Sequence, residues 1–265
     1  MLIAILAILG LIAGSFVNAL VWRLEHGQPI ALARSRCPKC QAALSPLELI
    51  PIISWLGLRG RCRSCQTRIS MQYPLVEAIV ALVFVGSYLF WPQTLSQPGQ
   101  WLLLISWLAG SVGLAALAVY DFLYMLLPNR IIYPTLVVSA AGQGAYTVFF
   151  ANRPWHQLLN WLLSVLIASG LFWLVFMISK GKWIGYGDVR LGLITGTILA
   201  DPAKAWAMLF FGALLGTIVS LPALLARHKT LSQKLPFGPF LIVATCMVLL
   251  FGQPVLDWYK RLIGA

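Results

Sequence analysis

Seven runs of about 20 largely apolar residues constrain this chain more than any other feature. They lie near 1–22, 75–91, 101–120, 130–150, 157–179, 204–226 and 237–258. A helix needs roughly 20 such residues to cross a hydrocarbon core of about 30 Å. An eighth, shorter run near 190–201 is required if the segments flanking it are to lie on the sides assigned below. Of the 265 residues, 60% are hydrophobic and 10% charged, against about 25% charged in a soluble domain. That balance excludes an ordinary soluble enzyme, and 11 Trp with 13 Phe exclude a disordered chain. The pattern predicts an all-α polytopic membrane protein of about eight transmembrane helices.

Orientation follows from where the positive charges fall. Met1 to Trp22 carries no charged side chain and the first one is Arg23, which is not the charge order of a secretory signal peptide. The positive-inside rule then puts the N-terminus outside and residue 23 onward in the cytoplasm. With eight spans, the segments 23–73, 121–130, 180–190 and 227–234 are cytoplasmic and hold 15 of the 19 Lys and Arg; the outer segments hold Arg153, Lys204, Lys260 and Arg261. The net charge of +12 therefore belongs to cytoplasmic loops. Membrane insertion and anionic lipid account for it, and no nucleic-acid partner is expected. The expected organisation is a first transmembrane helix over 1–22, a cytoplasmic insert over 23–73 and a seven-helix membrane core over 74–265.

The insert contains Cys37-Pro-Lys-Cys40 and Cys62-Arg-Ser-Cys65, with 21 residues between the pairs. Two C-x-x-C knuckles brought together supply four thiolates, the tetrahedral set that structural Zn²⁺ takes. A reducing cytoplasm disfavours disulfides, and a thioredoxin-like site needs a βαβ pattern that is absent. An insert of this size builds little core, so the metal would supply most of its folding energy. The reading is a zinc-ribbon-like module held by Cys37, Cys40, Cys62 and Cys65. Cys246 falls in an apolar span as a small core residue.

Only seven carboxylates are available for acid–base chemistry: Glu25, Glu48, Glu77, Asp121, Asp188, Asp201 and Asp257. Asp201 and Asp257 sit at expected outer helix ends, as solvated termini. Glu77, just inside a span, reads as a partner for an Arg of the insert. Asp121 and Asp188 differ from these, because the topology puts both at the cytoplasmic ends of spans, at one depth. Gly185 and Gly187 precede Asp188 and give the backbone room to bend or to meet an extended peptide. Ionisable groups at such places are functional candidates. Two close carboxylates share one proton, so one can activate water while the other hydrogen-bonds the carbonyl under attack. The same pair also suits an ion or proton site in a transporter, or two helix caps.

In the order and spacing of its motifs the chain resembles the type IV prepilin peptidases (prepilin leader peptidase/N-methyltransferases). The matching pieces are Gly14-Ser-Phe-Val-Asn18, the paired C-x-x-C insert, Ile50-Pro-Ile-Ile-Ser-Trp-Leu56, Leu58-Arg-Gly-Arg-Cys62 and Tyr73-Pro-Leu-Val-Glu77. They continue with Asp121 followed by Pro128-Asn129, then Gly185-Tyr-Gly-Asp188-Val, and finally Pro236-Phe-Gly-Pro-Phe240. The resemblance implies an aspartic endopeptidase of the bacterial inner membrane, with Asp121 and Asp188 as the catalytic pair. It implies cleavage of the basic leader from type IV prepilins and type II secretion pseudopilins at the cytoplasmic face. It also implies methylation of the new N-terminal amine with S-adenosylmethionine. For that cofactor Glu48, Gly60 and Arg61 are candidates by position, since no G-x-G-x-x-G after a strand marks a Rossmann site.

Two departures from the family pattern stand out. Arg190 replaces the lysine of G-x-G-D-x-K, and Arg61 stands where Gly-Lys is frequent in the insert. Arg keeps the charge but not the compact ammonium. The alternatives are a peptidase that does not methylate and a membrane transporter with a structural zinc module. A transporter would place its ionisable pair near the midplane and show inverted repeats; here the acids gather at one face and no internal repeat is evident.

Overall fold

A computed structural model describes residues 1–30, 34–225 and 236–263 of the chain. The order of elements is α1 (Leu2–Glu25), a 3₁₀ turn (Pro46–Leu49), α2 (Ile53–Gly57), α3 (Gln72–Leu89), α4 (Pro98–Tyr124) and α5 (Asn129–Phe149). It continues with α6 (Pro154–Ser179), α7 (Tyr186–Leu199), α8 (Pro202–Leu225) and α9 (Gly238–Ile263). The eight expected runs correspond to α1 and α3 through α9. The basic loop expected over 227–234 lies outside the described residues.

Among the described residues, six helices are long and apolar enough to cross a membrane: α1, α3, α4, α6, α8 and α9. The expected eight crossings are matched by these six in length and composition. The two that fall short do so for different reasons. At 14 residues, α7 spans only about 21 Å at 1.5 Å per residue. The 21 residues of α5 are long enough, but Thr135, Ser139, Gln143 and Thr147 recur every fourth position and all are buried. That spacing makes one polar stripe turned inward, the arrangement by which polar side chains are accommodated in a helix bundle. Thr135 and Thr147 donate to the carbonyls of Ile131 and Gln143 one turn earlier, at 2.7 and 2.8 Å.

The chain divides into two compact units, Met1–Leu89 and Phe90–Ala265. In the first, α1 packs against α3 through Gly10 and Gly14, a G-x-x-x-G pair. A Cβ built at either would stand 2.5 Å from the Cα of Ala81 or Glu77, so only glycine allows this backbone approach. Asn18 donates to the carbonyl of Tyr73 at 3.1 Å, pinning the end of α1 to the start of α3.

The second unit is built around α7. Gly192 and Gly196 form another G-x-x-x-G pair, and added Cβ atoms there would meet the Ala168 carbonyl oxygen at 2.6 Å and the Val165 Cα at 2.7 Å on α6. Ser164 and Ser169 of α6 donate to the carbonyls of Gly196 and Val189, at 2.8 and 2.9 Å. Leu191 and Ile194 are fully buried. A helix enclosed this way is held by neighbours rather than by lipid, which is how a 14-residue apolar segment earns its place in the bundle.

Candidate active site and metal centre

Three helix ends meet in the second unit. Asp121 lies one turn before the end of α4, which stops where Met125 adopts a left-handed conformation (φ 54°) and caps the Asp121 carbonyl at 2.8 Å. Asp188 occupies the first turn of α7, which starts from Gly185, and Gly238 opens α9. The backbone N–H of Gly238 donates to Asp121 Oδ2 at 3.1 Å. A Cβ on Gly238 would stand 2.7 Å from that same oxygen. Asp121 is buried and Asp188 half-buried. The two carboxylates are close enough to interact electrostatically. The structure thus brings together the two aspartates singled out in the sequence.

Arg190 belongs to the same corner. Its guanidinium donates to Asn129 Oδ1 and lies over the rings of Tyr186 and Tyr133, 4.5 and 5.9 Å from their centroids. It therefore ties the start of α7 to the start of α5 by a planar stack and a directed hydrogen bond, both suited to guanidinium. Gly187 meets Leu127, with 3.0 Å to an added Cβ. The remaining acids have other tasks. Asp201 Oδ1 accepts from the N–H groups of Ala203 and Lys204, at 2.8 and 3.0 Å, as the cap of α8. Glu77 was expected to meet an arginine of the insert; its buried Oε2 instead accepts the N–H of Ile52 at 2.7 Å.

That contact holds a strained turn. Ile52 sits at φ 58° and ψ −50°, and Ile53 N–H reaches back to the Pro51 carbonyl at 2.6 Å. A γ-turn centred on a β-branched residue is costly and needs support from its surroundings, which the Glu77 carboxylate supplies.

In the first unit, the two knuckles of the insert are near copies of each other. Cys37 N–H donates to Ala42 O at 3.0 Å and Cys62 N–H to Thr67 O at 2.9 Å. Gln41 and Gln66 both take positive φ (59° and 56°) to close their turns. Each Gln amide then donates back to the second residue of its C-x-x-C, Pro38 or Arg63. The four Sγ atoms of Cys37, Cys40, Cys62 and Cys65 lie within 4.8 Å of one another. Cys37 and Cys65 Sγ are 3.8 Å apart, which is about the edge of a tetrahedron with 2.3 Å metal–sulfur bonds. The Thr67 hydroxyl and N–H beside Cys65 pull its thiol down to about 6, whereas Cys40, despite the Ala42 backbone hydrogen bond, is pushed up to about 11 by burial and the other three thiols. Donor type, number and spacing all fit zinc.

Glu48, Gly60 and Arg61 are not brought together as one set. Glu48 caps the 3₁₀ turn, accepting from Ser45 N–H at 2.8 Å, and lines a cavity of about 380 Å³ within the first unit. Gly60 (φ 65°) is buried and lies flush against the Trp55 ring, with 2.8 Å to an added Cβ. Trp55 lines the cavity; Gly60 and Arg61 do not. Sequence reasoning gave no role to Gly238 or Trp55. The Pro-Phe-Gly-Pro run around Gly238 was a usable signal, because a Gly followed by Pro marks a helix start. The Ile50-Pro-Ile-Ile-Ser-Trp-Leu56 run marked Trp55 as part of a motif but gave it no task.

Comparison with known proteins gives a consistent answer. Residues 8–91 match the model of the bacterial peptidase A24 N-terminal domain, and residues 107–221 match that of the type IV leader peptidase family. The chain is 32% identical to the prepilin leader peptidase/N-methyltransferase of Bacillus subtilis (strain 168), over 98% of this chain and 99% of that protein. It is 31% identical to the protein of that name from Aeromonas salmonicida (strain A449), over 96% and 92%. The corresponding figures for the Pseudomonas aeruginosa protein are 28% identity over 97% and 93%. No solved structure matches the chain.

Proposed function

Because the chain belongs to the type IV leader peptidase family, we propose that it is an aspartic endopeptidase of the bacterial inner membrane whose catalytic pair is Asp121 and Asp188. Its substrates are type IV prepilins and type II secretion pseudopilins. They are cut on the cytoplasmic side, where the N-out arrangement puts the ends of α4 and α7. The observation that carries the reading is the meeting of two acids from separate helix ends, one of them aimed by the Gly238 N–H.

The pair shares one proton. The ionised carboxylate takes a proton from water as the water oxygen bonds to the scissile carbonyl carbon. The protonated one hydrogen-bonds to the carbonyl oxygen as it gains charge. Collapse of the tetrahedral intermediate breaks the C–N bond, and the proton held by the pair passes to the leaving amine. Gly238 fixes the Asp121 carboxylate, and Arg190 fixes the start of α7 from which Asp188 projects. A stem peptide that is helical in the bilayer must unwind to be cut, and the glycines at 185 and 187 leave room for an extended backbone.

The relatives' names, together with the complete Cys₄ cluster, support a second activity: methylation of the amine released by cleavage. S-adenosylmethionine, when bound, supplies the methyl group to that amine. Zinc on Cys37, Cys40, Cys62 and Cys65 holds the insert in shape and takes no part in peptide hydrolysis.

Intact-mass measurement of a prepilin incubated with the purified enzyme and S-adenosylmethionine tests both steps. The expected product lacks the leader and carries one methyl group. Asp121→Asn and Asp188→Asn each abolish cleavage while membrane insertion and zinc content persist. Retained cleavage by either variant refutes the two-aspartate mechanism.

A further inference from the structure

A polar cavity of about 230 Å³ lies within the second unit, at the end of the bundle away from the aspartate pair. Gln100, Ser139, Gln143, Asn160, Asp201 and Lys204 are among the residues that line it. Trp107 is the lining residue of α4 nearest in sequence to Asp121, 14 positions before it, or about 21 Å along the helix at 1.5 Å per residue. Leu114 and Leu117 of α4 and Leu191 and Ile194 of α7 fall between the two places and are fully buried, so an apolar layer separates the cavity from the catalytic corner. We infer that this cavity binds a zwitterionic headgroup, a phosphate and a primary ammonium on a short linker, supplied by an aminophospholipid of the bilayer.

The wall carries both signs of charge. Its negative side is the end of α7. Thr197, Ile198 and Leu199 line the cavity, and the last carbonyls of a helix have no partner within it and carry the negative end of its dipole. Asp201 stands beside them: its Oδ1 is taken by the N–H groups of Ala203 and Lys204, and its second oxygen remains to accept. An ammonium with three N–H donors satisfies such a set. The positive side is Lys204, the one cation among the lining residues, with the Gln157 and Asn160 amides of α6 as further donors to phosphate oxygens. Asp201 and Asp257 both interact with Lys204 electrostatically, so a lone anion is opposed there, whereas a zwitterion meets both signs. Ser139 is an independent pointer to an occupant. Thr135 and Thr147 of the same stripe donate back into α5. Ser139 is 5% exposed, and its Oγ has no hydrogen-bond partner among the described residues. A buried hydroxyl is costly to leave unpaired, and this one faces a space far larger than the ~10–15 Å³ that one water needs.

The bilayer is the nearest source of such a group. Trp91 and Tyr146 line the cavity, and residues of these types gather at headgroup depth. Trp91 is fixed there by its Nε1, which donates to Gln100 Oε1 at 3.1 Å. Phe90, next to it in the chain, packs on Phe251 with ring centroids 5.3 Å apart, and both rings are exposed, an apolar ledge for acyl chains. In the N-out arrangement proposed above, this end of the bundle meets the outer leaflet.

Native mass spectrometry of the full-length protein in detergent, titrated with short-chain phosphatidylethanolamine, tests the assignment. Phosphatidylcholine of the same chain length lacks the N–H donors, phosphatidylglycerol lacks the positive charge, and glycerophosphoethanolamine keeps the zwitterion without acyl chains. Phosphatidylethanolamine is expected to bind more tightly than either other lipid by roughly 10- to 150-fold, the range for one hydrogen bond to a charged group, and more tightly than the chain-free headgroup. Lys204→Gln is expected to weaken its binding by a similar factor. Ser139→Ala removes an unpaired hydroxyl, so the thermal midpoint of the lipid-free protein should rise and the further rise on adding phosphatidylethanolamine should shrink.

Equal binding of the three lipids, or no saturable binding of any, would overturn the inference and leave the cavity to water. Selectivity that persists unchanged in both Lys204→Gln and Ser139→Ala would place the lipid elsewhere and overturn the site. Binding of glycerophosphoethanolamine as tight as that of the lipid would overturn the bilayer as the source. If Lys204→Gln does not fold, the lipid preference of the wild type and the response of Ser139→Ala decide the matter on the same criteria.

Discussion

Gly238→Ala is the most informative perturbation of the peptidase site, because it adds one methyl group where it displaces a carboxylate and little else. The new Cβ would stand 2.7 Å from Asp121 Oδ2, whereas ordinary contact begins near 3.4 Å. The oxygen must therefore retreat by about 0.7 Å, the difference between those two distances. Its hydrogen bond from the Gly238 N–H, now 3.1 Å, lengthens or breaks with it. The Leu191 Cδ2, at 3.6 Å from the same Cβ position, is in normal contact and stays. Since the atom that moves is the tip of a side chain, folding is little affected. Catalytic groups must be held within about 0.5 Å of the productive geometry, and a 1 Å error can cost about 100-fold. The expected result is a fall in kcat of roughly 10- to 100-fold, with KM for the prepilin nearly unchanged. A quantitative gel or mass assay of leader release, run under saturating and limiting substrate, separates the two. Gly86→Ala, where an added Cβ meets nothing within 4 Å, is the matched control. Turnover by Gly238→Ala within twofold of the wild type would refute the idea that the α9 start aims Asp121.

Other expected outcomes follow from particular contacts. Because the pair must hold one proton between its members, leader release should fall at both acid and alkaline limits, giving a bell-shaped rate profile; a profile flat through the acid limb counts against the shared proton. Cys62→Ser, or stripping the metal with a chelator, removes the tie between the two knuckles. Methylation and protease resistance of the insert should suffer more than leader release, and equal loss of both activities argues otherwise. Gly196→Ala drives a methyl group to 2.7 Å from the Val165 Cα. Overpacking against rigid backbone costs about 1–3 kcal/mol, read as a lower thermal midpoint in detergent. Arg190→Ala removes the stack on Tyr186 and the bond to Asn129, so leader release should drop several-fold. Arg190→Lys restores charge without the planar fork and should recover only part of it.

The long helices were legible because a bilayer imposes a length and an apolar composition on whatever crosses it. The cluster of four cysteines was legible because a metal-binding set dictates spacing. Asp121 and Asp188 were singled out by their common depth and by the glycines before Asp188, since charges at span ends are few, and their role as a pair came from the family resemblance. What the sequence concealed was the contacts that hold these groups in place. Gly238 contacts a carboxylate 117 positions away, and no local periodicity encodes that. The partner of Glu77 was misjudged for a similar reason. Charge complementarity suggested an arginine, but the group in need was a backbone N–H at the strained Ile52, and strain is invisible in composition. In α5 the inward polar stripe of Thr135, Ser139, Gln143 and Thr147 lowers apolarity enough that the helix no longer resembles a span on composition, although a run of the right length was expected there.

The two proposed activities draw on separate sets of residues, and this makes them separable in a specific way. The four clustered cysteines all lie within Met1–Leu89, while Asp121, Asp188, Gly238 and Arg190 all lie within Phe90–Ala265. Cleavage produces the amine that methylation consumes, so any cleavage-deficient variant also yields less methylated pilin, and that loss alone says nothing about the methyl-transfer site. A peptide already lacking its leader removes the dependence. On that substrate Gly238→Ala should methylate at the wild-type rate although it releases leader slowly, and Cys62→Ser should show the reverse pattern on an uncleaved prepilin. The double variant should then multiply the two separate losses, as independent sites do. If Gly238→Ala loses methylation of the pre-cleaved peptide in step with cleavage, the released amine must be held by the aspartate corner itself, and the division of labour between the two units is wrong.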